Sequence, residues 1–286
     1  MPSSFGAKLA KSFDDYGQLC VGIDPHAALL SEWSLPDTAA GLKEFAKITL
    51  DAAIGRVGII KPQVSFFERF GSAGFAVLEG LAQEAARSDL VVIMDAKRGD
   101  IGSTMDAYFA AWLGASAPFI CDALTVSPYL GFDSLKPAMA ESLERGKGVI
   151  VLAATSNPEG ASTQKATSGG ITIARQIWNN LAELNSVTSG PGERLGSFGA
   201  VIGATLSLGG FGLAAIQDGQ GLGATPILAP GFGAQGALLS DSKQLFGEAS
   251  KQVIHSVSRS VLEAGPIGLA KAIDVAKLEL IAGLDN

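Results

Sequence analysis

Leu90-Val91-Val92-Ile93-Met94-Asp95-Ala96-Lys97-Arg98-Gly99-Asp100-Ile101-Gly102-Ser103-Thr104 joins an unbroken apolar run to a knot of charges and then to the start of a helical pattern. A short apolar, β-branched run predicts a strand buried on both faces. Residues 104–114 predict the helix that follows. Working outward, the same strand-like signal recurs at residues 19–23, 57–60, 119–126, 148–153, 200–203, 226–228 and 253–257, which makes eight runs with 90–94. Helix-like stretches at 38–54, 73–87, 135–145 and 171–184 lie between them. Buried strands alternating with helices indicate a parallel sheet, and eight such units indicate a closed (β/α)8 TIM barrel. An open doubly wound sheet is the alternative topology. Residues 157–170 and 186–197 read as polar connections, and 208–223 carries only weak helical signal.

The chain has 286 residues, 47% of them hydrophobic and 17% charged, which supports a large core and argues against disorder. No linker rich in proline or charge divides it, so a single domain over 1–286 is expected. No apolar run is long enough to span a bilayer, and residues 1–11 lack the apolar stretch of a signal peptide. A cytoplasmic protein with no membrane partner is expected. The net charge of −7 is a poor match for nucleic acid. An anionic ligand would need cations gathered locally against that average field. Cys20 and Cys121 both sit in apolar runs and read as buried free thiols.

Polar residues follow the apolar runs directly: Asp24-Pro25-His26, Lys61-Pro62-Gln63, Asp95-Ala96-Lys97, Thr155-Ser156-Asn157, Pro230-Gly231-Phe232 and Ser258-Arg259-Ser260. In a barrel these ends share the face where active sites lie. Charges beside buried strands are costly unless paired. Asp95 and Lys97, two apart on a strand, should point to the same side. Asp100 is placed to cap the following helix, and Asp100, Ile101 and Thr104 stand in helical i, i+3 and i+4 relation. Alone, this segment reads equally well as a salt bridge beside a helix cap. Asp24 and Lys61 at neighbouring strand ends favour a site in which alternating carboxylates and lysines keep each lysine protonated. Such a lysine is a good general acid.

Val21-Gly22-Ile23-Asp24-Pro25, Ile60-Lys61-Pro62-Gln63 and Met94 through Thr104 resemble, in order and spacing, the orotidine 5′-phosphate decarboxylase family. Ala154-Thr155-Ser156-Asn157-Pro158, Gly203-Ala204-Thr205, Ala229 through Gly236 and Val257-Ser258-Arg259-Ser260 continue the resemblance, which is strongest to the longer bacterial subfamily. The resemblance implies a (β/α)8 homodimer with shared active sites and neither metal nor cofactor. It would convert orotidine 5′-monophosphate to uridine 5′-monophosphate and carbon dioxide, the last step of de novo pyrimidine synthesis. It implies that Lys97 donates the proton to C6, Asp95 faces the departing carboxylate and Lys61 bridges the aspartates and the ribose. Asp24 would bind ribose hydroxyls and Ser156 the base. Gln235 and Arg259 would hold the phosphate, with Pro230 and Ser258 lining the same substrate. Asp100, Ile101 and Thr104 would come from the partner subunit. Leu206-Ser207 and Ala237 depart from the family pattern and bear on the phosphate-side loop.

No Gly-x-Gly-x-x-Gly dinucleotide fingerprint follows a strand, and there is no Walker sequence. Two separated histidines and two distant cysteines do not make a transition-metal site. His26 reads as a solvated loop residue and His255 as a packed core residue. Phe66, Phe67 and Phe70 have helical spacing and read as core or interface. Two alternatives share the charged pattern: a metal-dependent sugar-phosphate decarboxylase or aldolase on the same barrel, and a catalytically silent nucleotide-phosphate binding protein.

Overall fold

The apolar runs become strands because both of their faces are covered. The computed structural model describes residues 3–285; Met1, Pro2 and Asn286 of the expected span lie outside the described residues. The barrel strands are β1 (Leu19–Ile23), β2 (Ile59–Pro62), β3 (Val91–Arg98), β4 (Ala123–Val126), β5 (Gly148–Ala154), β6 (Phe198–Ile202), β7 (Ile227–Ala229) and β8 (Val253–Val257). All neighbours pair in parallel, and the order β1-β8-β7-β6-β5-β4-β3-β2 closes on itself. This is the expected (β/α)8 barrel, and closure rules out the open sheet.

The longer helices are α1 (Phe5–Tyr16), which precedes the barrel, and α2 (Ala39–Ala53), α3 (Gly71–Ala85), α4 (Gly102–Leu113), α5 (Lys136–Glu144), α6 (Ile173–Thr188) and α7 (Gly265–Asp285) around it. Ser4, Thr38 and Thr172 cap α1, α2 and α6 through side-chain oxygens that accept N–H groups of the first turn. Between β6 and β7 the chain makes only the 3-10 turns Leu208–Phe211 and Ala214–Ile216, in keeping with its glycine content.

Several boundaries differ from the sequence reading. The 119–126 run yields a strand only at Ala123–Val126, and Phe119 stacks on Trp112 at 4.3 Å between centroids. The polar stretch 157–170 is not a loop throughout. It forms a short helix, Ala161–Gln164, and then a hairpin pairing Thr167–Ser168 with Ile171–Thr172. Gly169 and Gly170 take φ of +62° and +84°, as a tight two-residue turn requires. The connection expected from 186 begins only after α6 ends at Thr188.

Alternation along the strands sorts side chains between two apolar layers. Cys20, Ile59, Val91, Ile93, Ala123, Ile150, Val201, Leu228 and Ile254 point inward and fill the barrel. Their sequence neighbours point outward and pack under the helices. Phe5 and Leu9 of α1 join the inner layer, so this helix closes the barrel at the strands' N-terminal end. Gly148, first residue of β5, leaves the room for this: a Cβ there would sit 2.4 Å from the Phe5 ring. Phe5→Ala should therefore cost about 3–5 kcal/mol of unfolding free energy in urea denaturation. A cost below about 1 kcal/mol would mean that α1 does not close the barrel.

Candidate active site

The inward series explains how charges reach the barrel mouth. Ile59 is followed two residues on by Lys61, Ile93 by Asp95, and Ala123 by Thr125. The same step leads from Cys20 through Gly22 to Asp24, from Leu228 to Pro230, and from Ile254 through Ser256 to Ser258. Lys61, Asp95 and Thr125 thus occupy the next inward position above an apolar one, at the C-terminal end where barrel active sites are built.

Asp95 lies at the centre, 9% exposed. Its Oδ2 accepts from Lys61 Nζ at 3.2 Å, and its Oδ1 accepts from Lys97 Nζ at 2.6 Å and Thr125 Oγ1 at 2.8 Å. Burial pushes the carboxyl pKa up, but the Lys61 and Lys97 charges and the two hydrogen bonds at Oδ1 outweigh it and hold it at about 2. Lys61 is 5% exposed; burial pulls its pKa down, yet Asp95 and Asp24 together hold it above the ordinary lysine value. At neutral pH the array is a buried carboxylate between ammonium groups, open to solvent on the Lys97 side.

Asp95 and Lys97 do meet, but regular alternation is not the cause. The β3–β4 register slips between Met94 and Arg98, and Lys97 takes φ +49°. Only Ser34 shares a left-handed backbone among the described non-glycine residues. Such strain persists where surrounding contacts over-determine it. From the other side, Gln63 Oε1 accepts from Lys97 Nζ at 3.4 Å, and the Gln63 and Asp95 backbones pair in an isolated parallel bridge.

The remaining expected residues fall into groups. Asp24 Oδ1 and Ser258 Oγ are buried without a partner, and both lie within 3.4 Å of where a Cβ on Gly22 would stand. Orphaned polar atoms at a mouth fit a polar ligand. Ser156 Oγ donates to Gln235 Oε1 at 3.0 Å, so these two loops meet. The Pro230 carbonyl accepts from Ala204 N–H at 2.8 Å, anchoring the loop that carries Gln235. Arg259 is exposed at the start of the short helix Arg259–Leu262. A cavity of about 470 Å³ lies behind this loop, between Gly233–Leu239 and α7, and contains none of the charges around Asp95.

Asp100 does not cap α4. The helix starts at Gly102 with Ile101 in the N-cap position, and Asp100 Oδ1 accepts instead from the adjacent Ile101 N–H at 2.8 Å. A short carboxylate side chain readily makes this local bond in place of a cap. Asp100 and Ile101 therefore precede the helix that contains Thr104, and no shared helical face relates the three. Ile101 is 58% exposed and Thr104 is exposed. Tyr129 and Leu130, on the loop after β4, are 82% and 53% exposed. The two loops touch where Ser127 N–H donates to Arg98 O at 2.7 Å.

His26 is half-buried rather than solvated, edge-on to Phe66 at 4.2 Å, and burial is the main cause of its lowered pKa. His255 is in the core as expected, its Nε2 2.5 Å from Ser242 Oγ, and burial pushes its pKa down to about 3. Cys20 and Cys121 are buried free thiols. Phe67 is buried, with Phe66 and Phe70 half-buried beside it. No group of three or more His, Cys, Asp or Glu side chains that could hold a metal ion occurs among the described residues.

Sequence reasoning assigned no role to Thr125 or to Gln63. The available signal for Thr125 was a hydroxyl interrupting the apolar run Ala123-Leu124-Thr125-Val126 at an inward position. Removing one partner of a buried ion pair leaves the other charge uncompensated. Lys61→Met should lower the unfolding free energy at neutral pH by about 3 kcal/mol, near the low end of that penalty because Lys97 remains. An unchanged denaturation midpoint would contradict the pairing.

Comparison with known proteins places this geometry. The family model described as "Orotidine 5'-phosphate decarboxylase / HUMPS family" matches residues 17–272. A Streptomyces coelicolor protein named orotidine 5′-phosphate decarboxylase is 52% identical over 264 residues, 92% of this chain and 91% of that one. A crystal structure from Streptomyces avermitilis, described as a candidate orotidine 5′-phosphate decarboxylase, superposes with TM-score 0.91 at 47% identity, covering 99% of this chain and 97% of that one. The Leishmania donovani OMP decarboxylase structure gives TM-score 0.72 at 28% identity over 96% and 99% of the respective chains. From the extent of these matches, this chain belongs to the orotidine 5′-phosphate decarboxylase / HUMPS family.

Proposed function

We propose that this chain is a carboxy-lyase that decarboxylates orotidine 5′-monophosphate to uridine 5′-monophosphate, the last step of de novo pyrimidine synthesis, without metal or cofactor. One observation carries the reading: a buried, ionised Asp95 is held between two lysines at the mouth of a barrel of this family. Decarboxylation breaks the bond from C6 to the carboxylate carbon and leaves the electron pair on C6. A fixed ammonium beside C6 stabilises that charge as it develops. Lys97 then gives its proton to C6, carbon dioxide departs, and the neutral lysine regains a proton from water. Asp95 fixes the position of the Lys97 ammonium through Oδ1 and faces the leaving carboxylate. Lys61 holds Asp95 and reaches toward the ribose, whose hydroxyls Asp24 binds.

Farther from the reacting atom, Ser156 contacts the base, while Gln235 and Arg259 hold the phosphate alongside Pro230 and Ser258. Their binding energy is useful when it closes loops over the site and excludes water. The contact between Ser156 and Gln235 supports this, because it joins the base-side and phosphate-side loops. Asp100, Ile101 and Thr104 complete the site of a partner subunit in a homodimer. The exposed apolar side chains of Ile101, Tyr129 and Leu130 on two touching loops support such an interface. We place the protein in the cytoplasm with no nucleic-acid or membrane partner. The charge of −7 supports this, and no described helix is long and apolar enough to cross a membrane.

Lys97→Ala should fold and lose about 10²- to 10⁴-fold in decarboxylation, followed as the loss of orotidine monophosphate absorbance. Near-normal turnover would sink the assignment. Mixing Asp100→Ala with Lys97→Ala subunits should restore activity, since each heterodimer would contain one intact composite site. No recovery in confirmed heterodimers would place Asp100 in its own chain's site.

A further inference from the structure

We infer that Thr125 is a positioning residue for the proposed proton donor; the inference rests on the decarboxylase reading above. Thr125 is fully buried on β4. Its Oγ1 accepts from the Lys97 backbone N–H at 3.0 Å and donates to Asp95 Oδ1 at 2.8 Å. Both directions are forced, since an N–H cannot accept and an ionised carboxylate cannot donate. One hydroxyl therefore fixes the backbone of Lys97 and the rotation of the carboxylate its ammonium binds.

The local geometry requires such a group. Pairing between β3 and β4 holds at Met94 with Leu124 and resumes at Arg98 with Val126. Three β3 residues, Asp95 to Lys97, thus stand opposite Thr125 alone. A bulge of this kind removes regular ladder partners and re-aims side chains. Here it turns Lys97 into a left-handed conformation, where a residue with a Cβ is strained. The Thr125 hydroxyl takes the N–H that the ladder has lost and holds the strained backbone in place. Its second bond turns Oδ1 of Asp95 toward Lys97 while Oδ2 remains with Lys61. The side chain touches both members of the pair and is itself fully buried, so it acts through them.

The test compares Thr125→Val, which keeps the shape but loses both bonds, with Thr125→Ser, which keeps the hydroxyl. A hydrogen bond to a charged group is worth about 10- to 100-fold. Thr125→Val should lose about that factor in kcat with KM nearly unchanged, and Thr125→Ser should recover most of it. The Thr125→Val crystal structure should show Lys97 leaving positive φ or its Nζ moving beyond 2.6 Å from Asp95 Oδ1. Unchanged kcat in Thr125→Val overturns the inference. So does a loss of kcat that Thr125→Ser does not relieve, because that marks a packing role alone. If Thr125→Val does not fold, Thr125→Cys, with its weaker donor, replaces it and is judged on the same readouts. If the unaltered enzyme does not consume orotidine monophosphate, the functional reading fails. The positioning role is then decided by the variant's Lys97 geometry alone, a shift supporting it and no shift overturning it.

Discussion

A carboxylate at the top of an apolar barrel cannot stand alone. Removing Asp95 from water is costly unless opposite charge and hydrogen bonds replace its hydration. Much of the site answers that requirement. Lys61 takes one oxygen, Lys97 and Thr125 take the other, and Asp24 adds a second carboxylate that favours the charged form of Lys61. Lys61, which neutralises the buried Asp95, is held protonated by the same interaction. The same pairing fixes the ammonium of Lys97, the proton donor proposed above.

The barrel provides the positions. Inward-pointing residues of neighbouring strands stack in layers, and the top layer is polar because its strands end there. Closure at the other end by Phe5 and Leu9 keeps the interior apolar up to that layer. The acidic net charge of the chain does not prevent cations from collecting locally. Lys61 and Lys97 are held by specific anionic partners, and Arg259 stands at the start of a short helix beside the same mouth. A phosphorylated ligand would meet these fixed positive charges at close range, where they outweigh the average field.

Much of this was legible in the sequence because it depends on short-range periodicity. Eight apolar runs marked the barrel, and period two carried Lys61 and Asp95 inward. The parts that were not legible depend on a departure from that periodicity. The bulge at Asp95–Lys97 has no local signature in Asp95-Ala96-Lys97, whose residues would also suit a regular strand end. Thr125 becomes visible as a partner only once β4 is laid against the bulge, since it lies 28 residues from Lys97. Asp100 was read as a helix cap from its position before Ile101-Gly102-Ser103, but its carboxylate turns back onto its neighbour's N–H. Asp24 stands out in the sequence as a charge at a strand end, whereas the roles expected of Ser156, Gln235, Ser258 and Arg259 rest on family resemblance.

The charge array at the barrel mouth depends on the ionisation of Asp95 in the folded protein. A carboxyl with a depressed native pKa stabilises the fold above its unfolded value of 3.8, and that contribution is lost as pH falls toward about 2. Carbon-13 NMR of the aspartate carboxyls, with Asp95 assigned by Asp95→Asn, reads the ionisation directly. The account predicts a carboxylate signal that stays ionised as pH is lowered through 3.8, for as long as the protein remains folded. An Asp95 carboxyl that titrates at or above 3.8 in the folded protein would contradict it.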